Sequence, residues 1–168
     1  PLATAPLLAA LGLARPAHAA DTPPISADKI LATTQIPALG GIDYVNADSA
    51  ARRVYVACGN AVSIFDLDTF KLAATLPNAS GHGVAVDPDD HTGLVSGNPA
   101  TFFNTQSLTP IKTIPAPGAD GYLYDAFTHH FILQSHRAPK LLVIDAKNGA
   151  TVGTVHAIVV IGNQVAAA

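Results

Sequence analysis

The chain has 168 residues, 49% of them hydrophobic and only 12% charged, with 13 Gly, 13 Pro, one Cys, no Met and no Trp. One domain of ordinary size fits this length, and a charged fraction about half the usual share of roughly 25% excludes charged disordered tails and coiled coils. A formal net charge of −3, with nine Lys and Arg in all, supplies no positive field for a phosphate backbone, so nucleic acid is disfavoured as a partner.

In chain order, residues 1–20 read as an export signal. Ala3 to Leu13 is apolar apart from Thr4, and Ala17-His18-Ala19 has the small-x-small form that signal peptidase cleaves. Cleavage is expected after Ala19 or Ala20, with residues 21–28 as a linker. Pro6 and Pro16 argue against a buried helix, and the apolar run falls well short of the roughly 20 residues of a membrane span. The mature protein is therefore expected to be periplasmic or secreted by a bacterium, with no membrane span. The charged n-region that should open such a signal is missing, which points to an incomplete N-terminus. Cys58, alone in an oxidising compartment, has no intramolecular disulfide partner and reads as a small buried hydrophobe.

The rest of the chain repeats itself. Asp48, Asp87 and Asp125 each follow a strand-like run, at spacings of 39 and 38 residues. These runs are Asp43 to Ala47, Gly83 to Val86 and Gly121 to Tyr124. Six residues after each aspartate begins or lies a second strand: Val54 to Val56, Gly93 to Val95 and Phe131 to Leu133. A third run ends in a polar turn-former, over Val62 to Asp66, Ala100 to Asn104 and Leu141 to Asp145. A fourth carries a threonine nine residues further on, over Leu72 to Leu76, Ile111 to Ile114 and Thr151 to Val155. Asp68-Thr69, Gln106-Ser107 and Lys147-Asn148-Gly149 supply hairpin turns between the third and fourth runs.

A unit of about 40 residues with four short antiparallel strands is the signature of a β-propeller blade; evenly spaced strands of a β-sandwich are the alternative. The predicted fold is all-β, a partial propeller over residues 29–168. Its blades span 41–77, 78–115 and 116–156, and a further blade starts at 157–168. Residues 29–40 are expected to form an outer strand, because Ile36-Pro37 matches Leu76-Pro77 and Ile114-Pro115 in the fourth strands. Exposed sheet edges at the ends of such an array invite self-association.

Three segments carry a family resemblance: Ala51-Arg52-Arg53-Val54-Tyr55-Val56, Ile64-Phe65-Asp66-Leu67-Asp68-Thr69-Phe70-Lys71-Leu72 and His82-Gly83-Val84-Ala85-Val86-Asp87-Pro88. The pattern continues from Val143 through Val152. They resemble the YVTN-type β-propeller repeats of YncE-like exported proteins, over roughly residues 29 to 156. The resemblance implies a seven-bladed ring in the periplasm or outside the cell, with binding roles that are mostly unassigned. It also suggests two alternatives, single-stranded DNA binding and lactonase-type hydrolysis. Seven blades would need about 280 residues at about 40 each. By that measure the chain is an incomplete propeller.

In a propeller the first strand of each blade lines the central channel, so equivalent positions converge on one funnel. Asp43, His82 and Asp120 are such positions. The loops between second and third strands bring Asn60, Asn98 and the His136-Arg137 pair to the same face. This set forms the candidate ligand site, able to take a polar small molecule or a protein partner. Its oxygens and nitrogens also suit a divalent cation, and a metal-dependent hydrolase would use Asp43, His82 and Asp120. Turn formation explains aspartates and asparagines at strand ends equally well. His82 stands apart because Gly81 and Gly83 flank it, which opens the backbone to a ligand.

His129-His130 reads as a solvated hairpin tip at the other end. Tyr44, Tyr122 and Tyr124 are candidate base-stacking residues, though core packing explains them as well. Phosphate-binding loops, paired Cys-x-x-Cys, His-Glu-x-x-His and Gly-x-Ser-x-Gly motifs are absent from the sequence. No cofactor is indicated, and a non-enzymatic binding module is the leading expectation.

Overall fold

The computed structural model describes residues 29–37, 40–136 and 140–156, and the backbone of 158–161 and 164–167. The expected export signal and linker lie outside the described residues. All the strands belong to one compact unit that begins at Ala32.

Three four-stranded antiparallel sheets follow one another along the chain. The first is β1 (Ile42–Asp48), β2 (Arg53–Cys58), β3 (Ala61–Asp66) and β4 (Leu72–Pro77). The second is β5 (Gly83–Asp87), β6 (Thr92–Ser96), β7 (Ala100–Asn104) and β8 (Thr109–Ile114). The third is β9 (Ala119–Asp125), β10 (His130–Ser135), β11 (Lys140–Asp145) and β12 (Thr151–His156). Within each sheet the strands lie in chain order, so every connection is a hairpin. A two-stranded hairpin, β13 (Ile158–Ile161) with β14 (Gln164–Ala167), ends the described chain. Among the described residues no helix is long and apolar enough to cross a membrane.

The turns explain why the repeat keeps its period. Asp66 Oδ1 accepts the backbone N–H groups of Asp68 and Thr69, Asn104 Oδ1 those of Gln106 and Ser107, and Asp145 Oδ1 those of Lys147 and Asn148. Four residues after each, the backbone turns left-handed, with φ of 57° at Phe70, 56° at Leu108 and 65° at Gly149. Asp48, Asp87 and Asp125 open the other set of turns, and four residues later Arg52, His91 and His129 have φ of 55°, 54° and 54°. Only one of these six positions is glycine, although a left-handed conformation costs an L-residue roughly 1–2 kcal/mol. The Asx hydrogen bonds, not glycine, carry the turn.

Middle strands β2, β3, β6 and β7 are buried almost throughout, while β4 and β8 are largely exposed. Middle strands lose both faces, in the second sheet to the sheets on either side and in the first to the second sheet and Ile36, which is why they read as continuous apolar runs. On β7 the adjacent Phe102 and Phe103 point to opposite faces, as strand geometry requires. Phe103 joins Tyr55, Val62, Ile64, Leu76, Val84 and Val95 between the first and second sheets. Phe102 joins Leu94, Phe131, Leu133 and Ile144 between the second and third. The innermost strand β5 lies beside β1 on one side and β9 on the other. Tyr44 N–H donates to His82 C=O at 2.9 Å, tying the first sheet to the second.

Residues 29–37 take no strand conformation. The Ile36-Pro37 match to a fourth strand is local, whereas pairing needs a third strand with a free side. Each of β3, β7 and β11 already has its fourth strand in β4, β8 and β12. Ile36 instead packs against Val56, Cys58 and Phe65 on the outer face of the first sheet. Cys58 is buried there as a small hydrophobe, 1% exposed, and its thiol donates to Val56 C=O at 3.3 Å.

Candidate functional site

Asp43 is the second residue of β1, His82 directly precedes β5, and Asp120 is the second residue of β9. Because the three strands lie side by side, these positions meet. His82 Nδ1 is 2.7 Å from Asp43 Oδ2 and 3.6 Å from Asp120 Oδ1, and His136 Nδ1 is 3.6 Å from Asp120 Oδ2. Backbone bonds fix both histidines. His82 N–H donates to Ser96 C=O at 2.7 Å, and His136 N–H to Gly118 C=O at 3.1 Å. The four side chains are 40 to 52% exposed, so two carboxylates and two imidazoles stand at an open mouth.

Asp43 and His82 also line a cleft of about 280 Å³ with Gly41, Gly59, Ser80 and Asn98. Asn60 sits in the exposed turn between β2 and β3, next to Gly59 but outside that lining. Arg137 lies outside the described residues. The glycines around His82 do not open the backbone to a ligand, contrary to the sequence-based expectation. A Cβ at Gly83 would stand 2.0 Å from the Tyr122 ring, and one at Gly81 would stand 2.2 Å from Ser96 C=O. They are glycines because protein already fills the space a side chain would need.

Tyr44 meets Tyr122 edge-on at 5.8 Å between ring centroids, and burial pushes the Tyr122 hydroxyl above its ordinary pKa. Tyr124 packs against Phe131 at 5.4 Å. Tyr44, half exposed, is the one of the three tyrosines with a substantially free ring face.

At the far end of the same strands, Asp87, Asp89 and His129 offer ligand atoms that all lie within 4.8 Å of one another. Sequence reading placed His129 on an exposed tip, which it is, but did not connect it to the turn of the preceding unit. The available signal was a pair of departures from the repeat: Asp89 stands where the first unit has Ala50, and Tyr124 where the second has Val86.

Three successive four-stranded sheets stacked through their first strands form a radial array. Its likeness to solved structures of propeller type decides the fold. The chain folds as part of a β-propeller. It matches the structure of U3-55K with a TM-score of 0.63 at 13% identity, covering 71% of this chain and 40% of that one. It matches dihydro-heme d1 dehydrogenase NirN in complex with DHE with a TM-score of 0.57 at 14% identity, covering 70% and 28%. Kuenenia stuttgartiensis hydrazine synthase gives 0.57 at 16%, covering 67% and 36%. Identities this low show the fold alone, and the chain spans less than half the length of each of these structures. No protein-family profile and no curated protein matches the sequence.

Proposed function

We propose that this is an exported propeller-fold binding module of the YVTN type. It takes a polar ligand or a protein partner at the funnel through Asp43, His82, Asp120 and His136, with Asn98 at the cleft. The observation that carries this reading is the position of the His82 ring. It is held between carboxylates from the sheets on either side, so three successive units contribute to one polar surface. All four side chains are exposed enough to exchange partners at little cost, since an exposed ion pair is worth about 0–1 kcal/mol. The Ala17-His18-Ala19 sequence supports export.

Neither alternative gains an observation. A hydrolytic metal centre at Asp43, His82 and Asp120 needs three donors gathered around one ion. Among the described residues, the group within mutual reach of a metal is a different one. Two carboxylates at the mouth repel a nucleic-acid backbone.

Binding is tested by recording imidazole resonances of the isotopically labelled whole chain while adding a panel of polyamines, amino acids and monosaccharides. Saturable shifts at His82 and His136 are expected in the wild type, and the shift at His136 should be lost in His82→Ala combined with Asp120→Asn. Shifts centred elsewhere, or unchanged in the double variant, would sink the assignment of the funnel as the binding face.

A further inference from the structure

The cluster at the far end of β5 is independent of the funnel. Asp87 closes β5 and is fully buried, Asp89 follows in the turn, and His129 comes from the turn between β9 and β10 of the next sheet. Asp87 Oδ1 accepts the N–H groups of Asp89 at 2.9 Å and Asp90 at 3.4 Å. Its other oxygen, Oδ2, is buried and accepts no hydrogen bond of good geometry among the described residues, although the Tyr124 hydroxyl lies close enough for Asp87, after burial, to hold that hydroxyl above its ordinary pKa. A buried acceptor left unmatched is destabilising, and a buried anion more so, unless a cation or donor meets it.

The repeat supplies an internal control. At the seam between the first and second sheets the matching positions are Asp48, Ala50, Val86 and His91. Asp48 makes the corresponding turn, accepting Ala51 N–H at 2.9 Å. Turn formation therefore accounts for the first carboxylate at each seam. It accounts for neither Asp89 nor Tyr124, which occur only at the second. The Tyr124 hydroxyl lies 3.1 Å from His129 Nδ1 and also neighbours Asp87, so it fixes the imidazole beside the buried carboxylate. The backbone of His129 is held as well: Ala146 N–H donates to its carbonyl at 3.0 Å, and Thr92 Oγ1 donates across the seam to Ala146 C=O at 2.6 Å.

We propose that Asp87, Asp89 and His129 bind a divalent first-row cation, with Zn²⁺ as the natural probe, across the seam between the second and third blades. Two carboxylates and one imidazole are a Zn²⁺-type donor set, whereas Ca²⁺ takes six to eight oxygens. Donors about 2.1 Å from Zn²⁺ stand roughly 3.4 Å apart in a tetrahedron. Asp89 and His129 are exposed, so closing from 4.8 Å asks of them a movement on the order of 1 Å. Water completes the coordination.

The test is calorimetric titration of the EDTA-treated, dialysed whole chain with ZnCl₂, alongside its melting temperature with and without the ion. One saturable equivalent and a raised Tm are expected. His129→Gly keeps the left-handed backbone, and Asp89→Asn keeps the side-chain shape. Each should melt near the wild type in EDTA, weaken Zn²⁺ binding at least tenfold and abolish the rise in Tm. His91→Gly, the same change at the other seam, should leave both intact. Binding that is absent, unaltered in His129→Gly, or lost equally in His91→Gly would overturn the site. Displacement of the Zn²⁺ by equimolar Ca²⁺ would overturn the donor chemistry.

Discussion

Five residues along β5 separate two carboxylate–imidazole clusters that differ in how far their polar groups are already satisfied. At the funnel, His82 has Asp43 at 2.7 Å and every member is 40 to 52% exposed, so water completes whatever the protein leaves open. At the far end Asp87 is fully buried and one of its oxygens accepts no hydrogen bond of good geometry among the described residues, with the Tyr124 hydroxyl as its neighbouring donor. The funnel cluster arises from equivalent positions in three successive units. The far cluster arises at one seam: the other keeps Asp48 and His91 but has Ala50 and Val86 in place of Asp89 and Tyr124. Repetition thus builds an exchangeable polar mouth, and departure from repetition adds Asp89 and Tyr124 beside a buried carboxylate.

The largest test of that contrast is to loosen the wall both clusters share. Phe131 is fully buried, meets Phe102 edge-on at 6.4 Å and packs the third sheet against the second. Phe131→Ala should cost about 3–5 kcal/mol in urea denaturation and disturb both clusters, because Asp120, His136 and His129 all belong to the third sheet's strands and turns. Phe103→Ala, on the opposite face of β7, should cost a similar amount and leave the Asp87–His129 seam in place. Equal disturbance of His129 by both changes would show that the seams are not separate packing units.

The same contrast separates what the sequence makes legible from what it conceals. All twelve blade strands were legible because the six-residue step from Asp48, Asp87 and Asp125 to the second strand, and the nine-residue step from Asp66, Asn104 and Asp145 to the threonine of the fourth, recur in every unit, and equivalence alone brings Asp43, His82 and Asp120 together. The Ile36-Pro37 match failed because it reports a local pattern, while a strand exists only where a partner edge is free. The far cluster was not legible because it joins non-equivalent positions: two in one turn, and one four residues into the turn of the following unit. Gly81 and Gly83 looked like room for a ligand, since sequence shows a missing side chain but not the Tyr122 ring or Ser96 carbonyl that takes its place.

A smaller and one-sided perturbation follows from Gly83. Its missing Cβ would fall 2.0 Å from the Tyr122 ring, so Gly83→Ala must push that ring off Tyr44. Overpacking of this kind costs about 1–3 kcal/mol. The damage should stay at the funnel end: imidazole resonances of His82 shift, while those of His129, at the other end of the strand, do not. Movement of both would join the two ends into one mechanical unit and erase the distinction between them.

The smallest expected effect concerns Asp125, the repeat equivalent of Asp87 with both oxygens matched. Thr128 Oγ1 donates to Oδ2 at 2.6 Å and Phe127 N–H to Oδ1 at 3.0 Å. These bonds, the Thr128 hydroxyl first, hold its carboxyl below the ordinary value of 3.8, and the Thr69 hydroxyl does the same for Asp66. A carboxyl whose pKa is depressed on folding binds fewer protons folded than unfolded. The stability it contributes is therefore complete above pH 3.8 and declines as pH falls through that value toward the folded pKa. Asp125→Asn keeps an acceptor for Phe127 but loses the charge. It should melt slightly below the wild type at neutral pH, and the gap should close on acidification below pH 3.8. A gap that stays constant down to the acid transition would mean that the carboxylate's charge contributes nothing to the turn. The contrast between Asp125, whose two oxygens both accept bonds of good geometry, and Asp87, whose Oδ1 alone does among the described residues, would then rest on geometry alone.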